Sequence, residues 1–123
     1  MLECMLLAAI HWPYTWESHG VRLTLVNPEV TPDKRYILVH LRLRGLIEQG
    51  SFDWQNQVTV LNREGQPVPQ AGDCGVNDTI TKGPFRVSKD KNYRVLFYYF
   101  AQASDFPCQL QVGEQLVGAP FSR

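Results

Sequence analysis

Nine residues, Tyr36-Ile37-Leu38-Val39-His40-Leu41-Arg42-Leu43-Arg44, constrain the fold of this chain more than any other stretch. Ile37, Val39, Leu41 and Leu43 share one face at period two, while His40, Arg42 and Arg44 share the other. Helical spacing would set Arg42 against Leu38 and mix the faces. The segment therefore reads as a strand with one face in a core and one in water. Val21-Arg22-Leu23-Thr24-Leu25-Val26 repeats the pattern upstream and is closed by Asn27-Pro28. Cys108-Gln109-Leu110-Gln111-Val112 repeats it near the end and stops at Gly113.

Between these strands Pro and Gly recur at short intervals, as an all-β chain requires. A strand is expected over about Phe52 to Leu61, with Val58 and Val60 inward and Trp54 in register with them. Asn62-Arg63-Glu64-Gly65 reads as a tight turn with Gly65 at positive φ. Gln66 to Asn77, which holds Pro67, Pro69, Gly72 and Gly75, reads as a long irregular connection. Short strands are expected at Thr79–Thr81 and Phe85–Val87, with a charged turn at Ser88 to Asn92. Tyr93 to Phe100 is apolar or aromatic on both faces, so one face meets the core and the other is covered or meets another chain. Leu116 to Phe121 adds an edge pairing. About seven strands without a helix give an all-β, antiparallel, immunoglobulin-like β-sandwich.

The chain divides into an N-terminal segment, 1–19, and a sandwich domain, 20–123. Two readings of Met5-Leu6-Leu7-Ala8-Ala9-Ile10 stand side by side: the remnant of a secretion signal, or a first edge strand packed on the sandwich. The run is far too short to span a bilayer. The first reading places the protein outside the cytoplasm, in the cell envelope or secreted; the second leaves it cytoplasmic.

The order of these strands resembles the immunoglobulin-like domains of bacterial and archaeal cell-envelope proteins, among them the telokin-like family of unknown function. The resemblance runs from about Gly20 to Val112. It is carried by Val21-x-Leu23-x-Leu25, by Tyr36-Ile37-x-Val39-x-Leu41-x-Leu43, by the strand ending in Val60-Leu61-Asn62-Arg63-Glu64-Gly65, and by Phe85-x-Val87 before a turn and an apolar strand. It departs where Gly45 replaces the Asn that closes the second strand, and in the additional strand at Cys108–Val112. Trp54 precedes both Cys74 and Cys108, so the Cys–Trp–Cys order of true immunoglobulin domains is absent. The resemblance implies an extracytoplasmic, non-enzymatic module and carries over no functional residue.

Charge and motifs narrow the function classes. Twelve basic and twelve acidic residues cancel, so no global field steers the chain to nucleic acid. No Gly-x-Ser-x-Gly, phosphate loop or metal-ligand spacing occurs; His11, His19 and His40 are scattered, and His40 sits among arginines. Asp73 to Asp78 lacks the carboxylate density of an EF-hand and reads as a turn. No catalytic group, metal or cofactor is expected. Cys74 and Cys108 allow one disulfide, which leaves Cys4 over; unpaired, they serve as small apolar residues.

Two groups remain as contact candidates. Trp12, Tyr14 and Trp16 suit an interface anchor, or else close the open end of the sandwich as an edge strand. Tyr98 and Phe100 lie on the second apolar face of their strand and are expected to meet a protein partner or a second copy. A separate stretch carries Lys82, Arg86, Lys89, Lys91 and Arg94 against Asp90 alone. With Arg42 and Arg44 it forms a candidate basic face for a polyanion or nucleic acid. The same side chains also blunt edge strands and solubilise turns, and that account takes precedence. The leading expectation is thus a docking module with an aromatic face, with the basic face as the alternative.

Overall fold

The computed structural model describes residues 12–123; Cys4, the Met5–Ile10 run and His11 lie outside the described residues. The elements, in order, are β1 (Tyr14–Ser18), β2 (Val21–Leu25), β3 (Glu29–Val30), β4 (Tyr36–Gly45), β5 (Gly50–Phe52), α1 (Trp54–Gln57), β6 (Val58–Leu61), β7 (Gln70–Val76), β8 (Thr79–Thr81), β9 (Phe85–Val87), β10 (Asn92–Phe100), β11 (Cys108–Val112) and β12 (Gln115–Phe121). The expected all-β antiparallel sandwich is present. Its main sheet runs β1-β2-β4-β10-β7-β8, with β3 also on β4, and its second sheet runs β12-β11-β6. A two-stranded ribbon, β5-β9, completes it.

Period two explains the core. From the main sheet come Val21, Leu23 and Leu25, then Ile37, Val39, Leu41 and Leu43, then Val95, Phe97 and Tyr99, all buried. From the second sheet come Val58, Val60, Leu110, Val112 and Val117. No polar or charged residue is buried among the described residues. Burial at about 25 cal/mol per Å² of apolar surface drives the two inner faces together. Tyr99 ties the sheets with a polar contact, its hydroxyl donating to the Val58 carbonyl at 2.7 Å.

Several expectations change. The strand expected over Phe52 to Leu61 is broken by α1, because Asp53 accepts from the backbone N–H of Asn56 and Gln57 through its carbonyl. Trp54 is inward as expected, but from a helical turn, with its ring 5.4 Å from that of Phe97. The supposed irregular connection contains β7, which is hydrogen-bonded between β10 and β8. Gly72, at φ +79°, and a register shift between Leu96 and Tyr98 let β7 bulge without leaving the sheet. The Asn62–Gly65 turn forms as read, closed by Gly65 N–H to the Asn62 carbonyl at 2.9 Å. The disulfide alternative is not realised: Cys74 and Cys108 are both buried and both free.

Residues 14–18 belong to the sandwich, so a boundary at residue 20 would cut the β1–β2 hairpin, which pairs Tyr14 with Leu25 and Ser18 with Val21.

Candidate functional site

The outer face of the main sheet is where the remaining chemistry gathers. Direct cross-strand partners point to the same side of a sheet, so the register reads the face off row by row. Toward one end, Tyr36 stands opposite Phe100, and Leu38 opposite Tyr98, which in turn faces Ala71. Next, His40 stands opposite Leu96, which faces Gly75, which faces Ile80 on the edge strand β8. Toward the other end, Arg94 opposes Arg42 and Arg42 opposes Thr24, while Arg44 lies between Asn92 and Arg22. One face thus has an aromatic half and an arginine half, separated by His40.

The aromatic half is built from rings that pack on one another, Phe100 exposed and Tyr36 and Tyr98 half-buried. Tyr36 stacks on Phe100 with centroids 5.1 Å apart and meets Tyr98 edge-on at 6.1 Å. Phe100 is 51% exposed, Leu96 38% and Ile80 74%. Leu96 packs over Gly75, at ordinary van der Waals distance from where a Cβ would stand, 3.5 Å. An open groove of about 560 Å³ runs between Tyr36, Tyr98, Phe100 and the Gln70–Gly72 segment. A second, of about 650 Å³, continues past Phe100 to Arg35, Gln102, Asp105 and Arg123. Tyr98 and Phe100 therefore stand where expected, joined by Tyr36, Leu96 and Ile80.

Trp12, Tyr14 and Trp16 do not join them. All three are partly buried and pack against the core. A Cβ on Gly118 would come within 2.6 Å of the Trp12 ring, and one on Gly113 within 3.3 Å of the Trp16 ring. Tyr14 donates to Gln115 at 2.9 Å. Tyr14 and Trp16 on β1, with Trp12 just before it, lie against the β11–β12 hairpin and close the sandwich; the anchor reading is replaced by the edge-strand reading.

The basic stretch is divided by the fold. Arg42, Arg44 and Arg94 share the outer face, but Arg86 lies on the β5–β9 ribbon opposite Ser51. Lys82 follows β8, and Lys89 and Lys91 belong to the turn that leads into β10. Arg22, which the linear stretch excludes, joins the face through β2. Exposed ion pairs surround it: Arg22–Glu17 at 2.8 Å, Arg94–Asp78 at 3.1 Å and Arg44–Asp90 at 3.4 Å.

The turn expected over Asp73 to Asp78 is confined to Asn77 and Asp78, because Asp73 to Val76 belong to β7; the Asn77 side chain accepts from the Arg94 backbone N–H at 2.8 Å. Among the described residues no group of three or more His, Cys, Asp or Glu side chains is placed to hold a metal ion. No helix among them is long and apolar enough to cross a membrane.

No protein-family model matches the chain, and no curated protein matches it. Among solved structures, the crystal structure of the yjhA protein from Bacillus subtilis is similar, with a TM-score of 0.53 over 85% of this chain and 81% of that one. At 9% sequence identity the likeness concerns the fold alone.

Proposed function

We propose that this chain is a non-enzymatic interaction module that docks onto a larger protein assembly through the aromatic half of its outer face. The observation that carries the reading is the exposure of Phe100, Leu96 and Ile80 beside the half-buried Tyr36 and Tyr98, on interior strands as well as at the edge. Grouped apolar side chains on one face mark interaction sites, and aromatic anchors dominate the energetics of such contacts. Covering them gains about 25 cal/mol per Å² before the entropic costs of association. The rings are already ordered by packing on each other, which lowers that cost.

The reading also places the module outside the cytoplasm, among immunoglobulin-like sandwiches of the cell envelope. It rests there on the strand order shared with that group and on the Met5–Ile10 run. Cell fractionation tests this part, the protein being expected with the envelope or secreted fraction.

The docking claim is tested by expressing a Tyr98→Ala, Phe100→Ser double variant in the native source and comparing what copurifies. The variant is expected to lose the assembly, whereas Trp16→Phe, which alters a ring packed within the domain, is expected to keep it. A double variant that retains its partners overturns the proposal.

A further inference from the structure

The arginine half of the face has no role in that docking, and its arrangement is unlike a solubilising surface. Edge blunting concerns edge strands, yet β4 and β10 are interior strands of the main sheet. Two like-charged pairs stand directly opposite each other, Arg22 with Arg44 and Arg42 with Arg94. Such pairs are destabilising in a sheet and call for a neutralising group. The three surrounding carboxylates each engage a different arginine, Glu17 with Arg22, Asp90 with Arg44 and Asp78 with Arg94. Arg42, at the centre, has no carboxylate within 4.0 Å among the described residues.

Beside it lies a groove of about 240 Å³ lined by Arg22, Thr24, Arg42, Leu43, Arg44 and Asn92. Three arginines, a threonine and an asparagine line it, and no Asp or Glu among the described residues does. Guanidinium presents a rigid fork of N–H donors that matches the oxygens of a phosphate group bidentately. The rim ion pairs are exposed and therefore weak, so a more concentrated negative charge can draw Arg22 and Arg44 inward.

We infer that this groove is an oxyanion site that seats a phosphate group, free or carried on a polymer, with Arg42 as its central donor and Arg22 and Arg44, paired in the adjacent row, closing it at one end. The inference is independent of the docking proposal, since it concerns the opposite end of the face.

The test is a titration of the full chain with inorganic phosphate at constant ionic strength, chloride making up the balance, read at the arginine side-chain N–H resonances. Saturable shifts at Arg22, Arg42 and Arg44 are expected. Arg42→Gln is expected to weaken binding by about tenfold or more, and Arg42→Lys, which keeps the charge and loses the fork, by less. Arg86→Gln, on the ribbon, serves as the control that leaves binding unchanged. Shifts that chloride reproduces, or an Arg42→Gln variant that melts like the parent and binds phosphate equally well, overturn the inference. Polyphosphate distinguishes the source: tighter binding per phosphate with a steep salt dependence assigns a polymer, and equal affinity per phosphate assigns the free anion.

Discussion

The Tyr99 hydroxyl donates to the carbonyl of Val58 at 2.7 Å, across the core and forty-one residues away in the chain. Tyr99 belongs to the most central strand of the main sheet and Val58 opens the first strand of the second, so this bond fixes how the two sheets sit on one another. The opposite face of the same strand carries Tyr98 and Phe100. Any looseness in the inter-sheet tie would therefore reach the outer aromatic face directly.

Tyr99→Phe removes the donor and leaves a buried carbonyl without that partner. The expected loss is about 1–2 kcal/mol of stability. Equilibrium urea unfolding should show a lower midpoint at unchanged slope, and an unchanged midpoint would mean that the bond contributes nothing net.

Stability is expected to fall at alkaline pH. Burial pushes the Cys74 thiol up to about 12, and burial, then the nearby Asp105 charge, pushes the Cys108 thiol up to about 11. Burial also raises the Tyr99 phenol above its ordinary range. Each group stays protonated in the folded chain at a pH where the unfolded chain has already released its proton. Their contribution is complete below the ordinary thiol pKa of about 9 and is lost as pH rises toward 12. Urea midpoints measured from pH 8 to 11 should decline, and a Cys74→Val, Cys108→Val variant should decline less. A flat profile, or equal declines, would contradict this.

The same two thiols should be chemically silent in the folded protein. Each donates to a nearby carbonyl, Cys74 to Gly75 at 3.8 Å and Cys108 to Asp105 at 3.4 Å. In a Cys4→Ser background, a thiol reagent should label neither residue until denaturant is added, and reduction should leave the intact mass unchanged. Rapid native labelling, or a mass gain on reduction, would show a different arrangement.

Gly45→Ala should be among the most damaging single substitutions. A Cβ at Gly45 would run into the carbonyl of Ser88, because the β9–β10 turn crosses the end of β4 there. Gly45 also donates to Lys91 at 3.1 Å and accepts from Asp90 at 2.9 Å, so neither backbone can move away. A loss of about 3 kcal/mol or more is expected in thermal or chemical unfolding, and a parent-like midpoint would show that the crossing can relax.

The sandwich was legible where period two was unbroken. Parity alone put Ile37, Val39, Leu41 and Leu43 inside and His40, Arg42 and Arg44 outside, and the structure agrees. It was illegible at β7, because Pro67, Pro69, Gly72 and Gly75 carry the signature of a loop. Here Pro69 receives the Phe100 N–H through its carbonyl, and Gly72, at positive φ, serves a bulge. The aromatic pair on β10 was visible from its own strand. Ile80 was not, since its place beside Leu96 depends on the β10–β7–β8 register. The basic face was legible only in part: Arg42, Arg44 and Arg94 share it, but residues near in sequence, such as Arg86 and Arg94, were divided between the ribbon and the main sheet, while Arg22 was brought in from a distant strand.

The central claim is that the aromatic half of the outer face exists to be covered. Light scattering on the protein gently purified from its native source tests it most directly, alongside a Phe100→Ser variant prepared in the same way. The account predicts a particle larger than the 123-residue chain that falls to the single chain in the variant. A native protein that is already a single chain, or a variant particle of unchanged size, would contradict it.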